Sequence, residues 1–407
     1  MKILILWRGL PHPLHPSFSR PFYFIKYYGS ANSITLLSPL SSSHTNYAAI
    51  VGAQAKYDSI VEEPVKDGLF KAMLSLLRRL TYTNLRYAKD FNVFKQYLPS
   101  LQRKVNEILK KEEFDIIYSD YWACSYLYPL KLRNKIKTPV ILEFFSPTLY
   151  SQRCFLKHGS SQERVRALLT YLSFRFLEVE RYRLFEAGIY VSRTHLERSK
   201  PFLPKRCYII PPGVDLDFFK PLDACPSEPI IAFVGSMNYT PNILGVLHFY
   251  SRIFPYIKRE FPTIRFYIIG RNPDKRVKKL CCDPSIIVTG TVDDIRPYTS
   301  IAQVFVNPIT VDDGGVKNKV LEAMAMGKAI VSTPLGVRDI GVTDGENVVI
   351  AKSDKEFAEK VVELLKDENE RRRIGRNARK FVEENYSWER QSKILYDVFR
   401  ELAEGAR

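Results

Sequence analysis

Short apolar runs alternate with helical stretches along this chain, and no other feature constrains its fold as tightly. Met1–Trp7, Ser33–Leu37, Phe114–Tyr118, Pro139–Glu143 and Gly188–Ser192 read as strands in the first half. Ile230–Val234, Arg265–Gly270, Ile286–Gly290, Gln303–Pro308 and Ala329–Ser332 do so in the second. Runs that are apolar throughout, separated by helical segments, belong to parallel sheets covered by helices on both faces. Between the two sets, Pro201–Pro212 holds four prolines and reads as a linker, after which the pattern restarts. A chain of 407 residues exceeds one core. The expectation is a first domain over 1–200, a second over 201–385, and a last helix, about 386–407, able to pack back on the first.

Charge is unevenly placed. Residues 1–200 carry 30 Lys+Arg against 16 Asp+Glu, and residues 201–407 carry 31 against 28. A first half this basic suits nucleic acid, anionic lipid or a phosphate-bearing substrate. Its densest basic stretch, Leu69–Lys110, interleaves nine Lys+Arg with Leu, Tyr and Phe, and repeats Met73, Leu76, Leu77 and Leu80 at helical spacing. It reads either as a face for an anionic membrane or as a helix pair packed on the sheet. No run of eighteen apolar residues occurs, and Met1–Trp7 reads as a first strand rather than a signal segment. The six cysteines lack the paired spacing of a zinc or redox motif. These features lead to the expectation of a cytoplasmic protein, with a peripheral place at the inner face of the cell membrane if the basic stretch meets lipid.

The stretch from Asp312 to Ser332 carries the most chemistry. Gly314 and Gly315 let the backbone approach a ligand with no Cβ in the way. Val320 to Ala325 propagate a helix, Gly327 stands where a helix terminates, and Ala329–Ser332 resumes as a buried strand. Free N–H groups at a helix start attract anions. Lys317 and Lys319 add positive charge at that same end, where the helix dipole disfavours cations unless a polyanion is bound. Glu322 follows Lys319 by three residues and shares its face. In the first half, Glu143 ends its strand before the loop Phe144–Pro147, at the sheet edge where ligands bind. It is a candidate for catalysis or sugar binding, with a loop cap as the alternative.

In order and over roughly 190 residues, the second half resembles the retaining glycosyltransferases of the GT-B fold, family 4. The matching pieces are Pro211–Asp215 with Phe218, Phe233–Gly235, Ile268–Gly270, Thr289–Val292, Asn307–Pro308 and Lys319–Val331. The form Gly315-x-Lys317-x-Lys319-x-x-Glu322 is similar to a subgroup that includes transferases of polysaccharide assembly. The resemblance implies an α/β fold of two Rossmann-like domains, each a parallel doubly wound sheet, facing across a cleft. It implies a nucleotide-diphosphate-sugar donor in the second domain and a glycan or lipid-linked acceptor in the first.

Residue by residue, the resemblance places Glu322 on the ribose hydroxyls and the backbone of Gly290 and Val292 along the base. Gly235, Ser236, Gly270, Gly314, Gly315 and Leu321 join them as donor-binding positions. Gly314 stands eight positions before Glu322, where the family's first glutamate binds donor-sugar hydroxyls. That glutamate is missing, and Asp312 or Asp313 are the substitutes. The loop Ser236–Asn242 lacks the family's phosphate-binding arginine and lysine, so Lys317 and Lys319 are the candidates to replace them. The family's first-domain histidine has no counterpart near Glu143.

Two lysines and helix N–H groups can hold the charge of a departing diphosphate by fixed electrostatics, without a metal. Asp293-Asp294 and Asp312-Asp313 are adjacent pairs whose side chains diverge, so no metal and no cofactor is expected. Lys317, Lys319 and Glu143 are therefore the catalytic candidates. Two rivals remain: a nucleotide-sugar epimerase of the same fold, and a basic nucleic-acid-binding protein. The first half offers few acid–base groups for the former, and the chain carries no recognisable RNA or DNA module for the latter, so no nucleic-acid partner is expected.

Overall fold

The structure is a computed structural model. It describes residues 1–7, 11–13, 18–39, 56–60, 103–121, 127, 130–131, 133–173, 179–200, 203–222, 228–312 and 314–406. The part of the basic stretch that lies over 69–102 falls outside the described residues. The chain forms two compact units. The first comprises Met1–Leu156, Ser160–Ile210 and Gln391–Arg407, and the second Lys157–Gly159 and Pro211–Arg390.

The first unit is built on a parallel sheet of seven strands: β1 (Lys2–Leu6), β2 (Ser33–Pro39), β3 (Lys56–Ile60), β4 (Ile116–Asp120), β5 (Val140–Phe144), β6 (Ala187–Tyr190) and β7 (Arg206–Ile209). Their order across the sheet is β3-β2-β1-β4-β5-β6-β7, all neighbours parallel. β7 lies inside the stretch that the prolines suggested was linker. It is an edge strand with no buried residue, and its short apolar run Cys207–Ile210 is masked by the prolines on either side. The helices used below are α1 (Ser19–Tyr28), α2 (Thr148–His158), α3 (Ser161–Ser173) and α4 (Arg193–Ser199). Between α3 and β6 the chain makes a tight 3₁₀ turn at Val179–Leu184.

The second unit holds six parallel strands: β8 (Ile230–Val234), β9 (Arg265–Ile269), β10 (Ile286–Gly290), β11 (Val304–Asn307), β12 (Ala329–Ser332) and β13 (Val349–Ile350), ordered β10-β9-β8-β11-β12-β13. Side chains alternate between two half-cores. Ile231, Phe233, Val304, Val306, Ala329 and Val331 enter one, and Ala232, Phe305 and Ile330 the other. This two-sided burial is why the strands read as unbroken apolar runs. The covering helices are α5 (Thr240–His248), α6 (Phe254–Glu260), α7 (Asn318–Ala325), α8 (Asp354–Lys366) and α9 (Glu368–Asn385), and α10 (Trp388–Glu404) follows, its residues from Gln391 on belonging to the first unit. α7 ends where Gly327 takes a φ of +66°, as expected of a helix terminator. Arg379 of α9 donates to the carbonyls of Ala325 (2.6 Å) and Phe219 (2.7 Å), placing a cation at the negative end of α7.

α10 begins beside the second sheet and ends in the first unit. Val214 N–H donates to Tyr386 O at 2.8 Å, and a Cβ on Gly213 would lie 2.5 Å from the Trp388 ring. Further on, Tyr396 stacks on Tyr28 at 4.4 Å, Phe399 packs on Phe24 at 5.0 Å, and Glu401 accepts from the Tyr208 hydroxyl at 2.9 Å. Leu395, Val398, Phe399 and Leu402 form its buried stripe, with Ile394 half-buried beside them. Among the described residues no helix is long and apolar enough to cross a membrane.

Candidate active site

In each sheet the strand order reverses beside the first strand, and in doubly wound sheets ligands bind at the carboxyl ends of the strands at that point. In the second unit this point lies between β8 and β11. β8 runs into Gly235, whose N–H donates to Ile269 O at 2.9 Å. β9 runs into Gly270, at φ +152°, where an added Cβ would sit 1.8 Å from Gly235 O. The two strand ends thus nest backbone against backbone, and Gly270 tolerates no side chain.

Lys319, in the first turn of α7, reaches across to this nest. Its Nζ donates to Asn242 Oδ1 at 2.6 Å and lies 4.1 Å from the centroid of the Phe233 ring. A Cβ on Gly235 would fall 3.2 Å from that Nζ and 2.6 Å from Asn242 Nδ2, so the bare glycine is what admits both groups. Asn242 in turn donates to Ser236 O at 3.0 Å. Ser236 Oγ contacts Asn238 Oδ1 at 2.9 Å and accepts from Arg271 Nε at 3.2 Å. Met237 N–H donates to Arg271 O at 3.0 Å, zipping the loop after β8 to the loop after β9. The result is a short polar rim, Lys319–Asn242–Ser236–Arg271, with two cations at its ends.

Lys317 is the residue that precedes α7, in extended conformation, and no side chain caps the helix there. Its first turn is therefore open to an anion. Gly314, at φ +80°, donates its N–H to Asp312 Oδ1 at 2.9 Å, and the other Asp312 oxygen meets the Arg338 guanidinium. Asp312 is thus engaged in shaping the turn; Asp313 lies outside the described residues. At Gly315 an added Cβ would meet nothing within 4 Å, so its surroundings are open.

Glu322 lies one turn further along α7, half-buried, between the buried Leu321 and Ala323. Its carboxylate makes no hydrogen bond among the described residues. Burial pushes its pKa up to about 7, and nearby Lys319 pulls it back only in part. A carboxylate held this way has acceptor capacity to spare for a ligand hydroxyl. Gly290 ends β10 at φ +71° with open space where a Cβ would go, so backbone conformation, not crowding, calls for glycine. Val292 packs half-buried on the core beneath.

Glu143 is placed differently. It belongs to the first unit and is 1 % exposed. One oxygen accepts from Arg20 Nε at 2.7 Å and the other from the Tyr118 hydroxyl at 2.8 Å. Arg20 also donates to Ile210 O at 2.8 Å. Burial raises the carboxyl's pKa while Arg20 and Tyr118 oppose the shift. Its acceptors are turned to the interior, where it acts as the anchor of α1 rather than as a group presented to a ligand.

Asn242, Arg271 and Arg338 were not singled out by the sequence. Arg271 had a usable signal, since it directly follows a strand-ending glycine. Asn242 had none, because its partner Lys319 stands 77 positions away.

The comparisons with known proteins bear on the fold and the family. Residues 228–367 match the family model described as glycosyl transferases group 1, and residues 75–218 match the one described as glycosyltransferase family 4. An uncharacterized 44.6 kDa protein in the cps region of Klebsiella pneumoniae is 24% identical over 98% of this chain and 99% of its own. The capsular polysaccharide biosynthesis glycosyltransferase CapM of Staphylococcus aureus is 31% identical over 30% of this chain and 33% of its own. Sucrose-phosphate synthase from Thermosynechococcus elongatus superposes with a TM-score of 0.68 at 15% identity, covering 100% of both chains. Anabaena HepE in complex with UDP-glucose does so with a TM-score of 0.63 at 12% identity, over 98% of this chain and 100% of its own. With two parallel doubly wound sheets and these matches in both halves, the chain is a glycosyltransferase of the GT-B fold.

Proposed function

We propose that the protein transfers a sugar from a nucleoside-diphosphate-sugar to a glycan or lipid-linked acceptor, with retention at the anomeric carbon and without a metal. The donor is assigned to the second unit, the acceptor to the first. The observation that carries the reading is the approach of Lys319 Nζ to the Gly235 strand end, with Glu322 one turn behind it and open to a ligand.

As the glycosidic bond to the diphosphate breaks, negative charge builds on the leaving oxygen. Lys319 is already oriented by Asn242 and Phe233, so it stabilises that charge with little reorganisation. Lys317 and the open first turn of α7 face the same charge, and Arg271 reaches it from the loop after β9. Glu322 accepts from ribose hydroxyls, and the Gly290–Val292 backbone lines the base. Asp312 is not offered as the group that reads the sugar, being held by Gly314 and Arg338.

The HepE complex with UDP-glucose supports a uridine diphosphate sugar as the first donor to try. The capsular polysaccharide relative supports a polysaccharide acceptor, and the basic first half of the chain supports a place for the reaction at an anionic membrane surface on the cytoplasmic side. A thermal-shift panel of UDP-, GDP- and ADP-sugars tests the donor assignment. One of them raises the melting temperature, with or without a chelator, because a ligand bound only by the native state stabilises it. A flat panel contradicts the assignment, and a shift lost on chelation contradicts metal independence.

A further inference from the structure

Eight large hydrophobic residues are exposed among the described residues, and four of them lie on one helix. They are Val165 (55% exposed), Leu168 (46%), Leu169 (42%) and Leu172 (41%), all on α3. At about 100° per residue their spacing of three, four and seven forms a single stripe. The opposite face is the one that packs: Ala167 is buried, and the Tyr171 hydroxyl accepts from Arg153 of α2 at 3.1 Å. An amphipathic helix normally turns its apolar stripe inward, and here the stripe points out.

The helix is well specified without burying that stripe. Ser160 and Glu163 form a capping box: Glu163 Oε2 accepts from Ser160 N–H at 2.7 Å and from its hydroxyl at 2.8 Å, while Glu163 N–H donates to Ser160 Oγ at 3.4 Å. Exposed Arg164 stands beside Leu168 on one flank of the stripe and exposed Arg166 beside Leu169 on the other. Across α2 and α3 there are four Lys or Arg, namely Arg153, Lys157, Arg164 and Arg166. Glu163 is the one acid, and its carboxylate is tied to Ser160.

We infer that α3 lies in the plane of an anionic bilayer, with Val165, Leu168, Leu169 and Leu172 in the acyl boundary and the flanking arginines at the lipid phosphates. An apolar stripe edged on both sides by cations is the arrangement that binds such a surface. A second copy of the chain fits worse. A two-fold pairing of this face sets the arginines of one copy against those of the other, and the one acid of α2 and α3, Glu163, is tied to Ser160. The inference rests on the membrane-surface part of the proposed function and names the surface that makes the contact.

The test is co-sedimentation of the full chain with phosphatidylcholine vesicles, with and without phosphatidylglycerol. The chain pellets with the anionic vesicles and not the neutral ones. Leu168→Asp/Leu172→Asp loses pelleting, while Tyr256→Ser, at an exposed aromatic of α6 in the second unit, keeps it. A melting temperature unchanged in the double variant shows that the fold survives. As a second reading, Leu169→Trp gives a fluorescence blue shift on anionic vesicles only. Pelleting by the double variant at the wild-type level overturns the inference, and so does no pelleting by the wild type. Sedimentation equilibrium showing a dimer that the double variant breaks overturns it in favour of a contact between copies. Nucleotide binding in the same preparations is independent of every arm, so failure here is distinguishable from failure of the donor site.

Discussion

Glu143 and Glu322 invite comparison. Each stands near the carboxyl edge of a parallel sheet, one per unit, and burial raises the pKa of each. Glu143 is fully engaged, with Arg20 on one oxygen and Tyr118 on the other. Glu322 makes no side-chain hydrogen bond among the described residues, although Lys319 is one turn away. Lys319 instead turns to Asn242 and the Phe233 face. A buried carboxylate that has its own partners holds a fold together, whereas one left with spare acceptors at a glycine-lined strand end is placed for a ligand.

The comparison can be broken at either end. The largest effect is expected on the structural side. Arg20→Ala leaves the Glu143 charge buried without its guanidinium and lowers the unfolding free energy by about 3–5 kcal/mol, measured by denaturant titration. Glu143→Gln keeps an acceptor for Arg20 but leaves a buried guanidinium without its counter-charge, so it is destabilising by the same reasoning. If Arg20→Ala unfolds like the wild type, the pair is not an anchor and Glu143 returns as a site candidate.

On the catalytic side, Lys319→Ala lowers kcat by about 10²–10³-fold while the melting temperature stays close to wild type. A variant that transfers sugar at the wild-type rate removes Lys319 from the account. Arg271→Ala is expected to be milder, about tenfold in donor KM, because its cation sits at the exposed end of the rim. An unchanged KM leaves Arg271 as a brace for the loop only.

The pH response of Glu322 is the smallest effect and the finest discriminator. Its folded pKa of about 7 lies above the ordinary 4.5, so the native state keeps a proton that the unfolded chain has already lost. Stability from this group is full below the ordinary value and declines as pH rises through about 7. Glu322→Gln removes that part of the slope in melting temperature against pH. Nucleotide affinity should move the other way, strengthening as pH rises through about 7, because the ionised carboxylate is the better acceptor. Affinity that weakens over this range contradicts ribose recognition by Glu322.

Much of the second unit was legible because its central strands β8, β11 and β12 are buried throughout, and because β8, β9 and β10 run into or end on a glycine. Ile230–Val234, Arg265–Ile269 and Ile286–Gly290 announce themselves by composition, and α7 by its stripe and its terminating Gly327. β7 was hidden because an exposed edge strand between prolines has no periodic signal. α3 starts at Ser161, where Ser160 and Glu163 form a capping box that the sequence carries as Ser-x-x-Glu. At the site, the local motif pointed to Lys319 and Glu322 but not to what orients them. Asn242 and Arg271 come from other turns of the chain, and Glu143 looked available because Arg20, its partner, stands 123 positions away. Spacing along a helix is visible in a sequence, while contacts between strand ends depend on topology.

Calorimetric titration of UDP, GDP and ADP into the wild type and Lys319→Ala tests the central claim most directly. The account predicts that at least one diphosphate binds the wild type and that Lys319→Ala weakens it at least about tenfold, as expected for a lost charge-assisted contact. No binding of any diphosphate to folded wild-type protein, or equal binding by the variant, would contradict it.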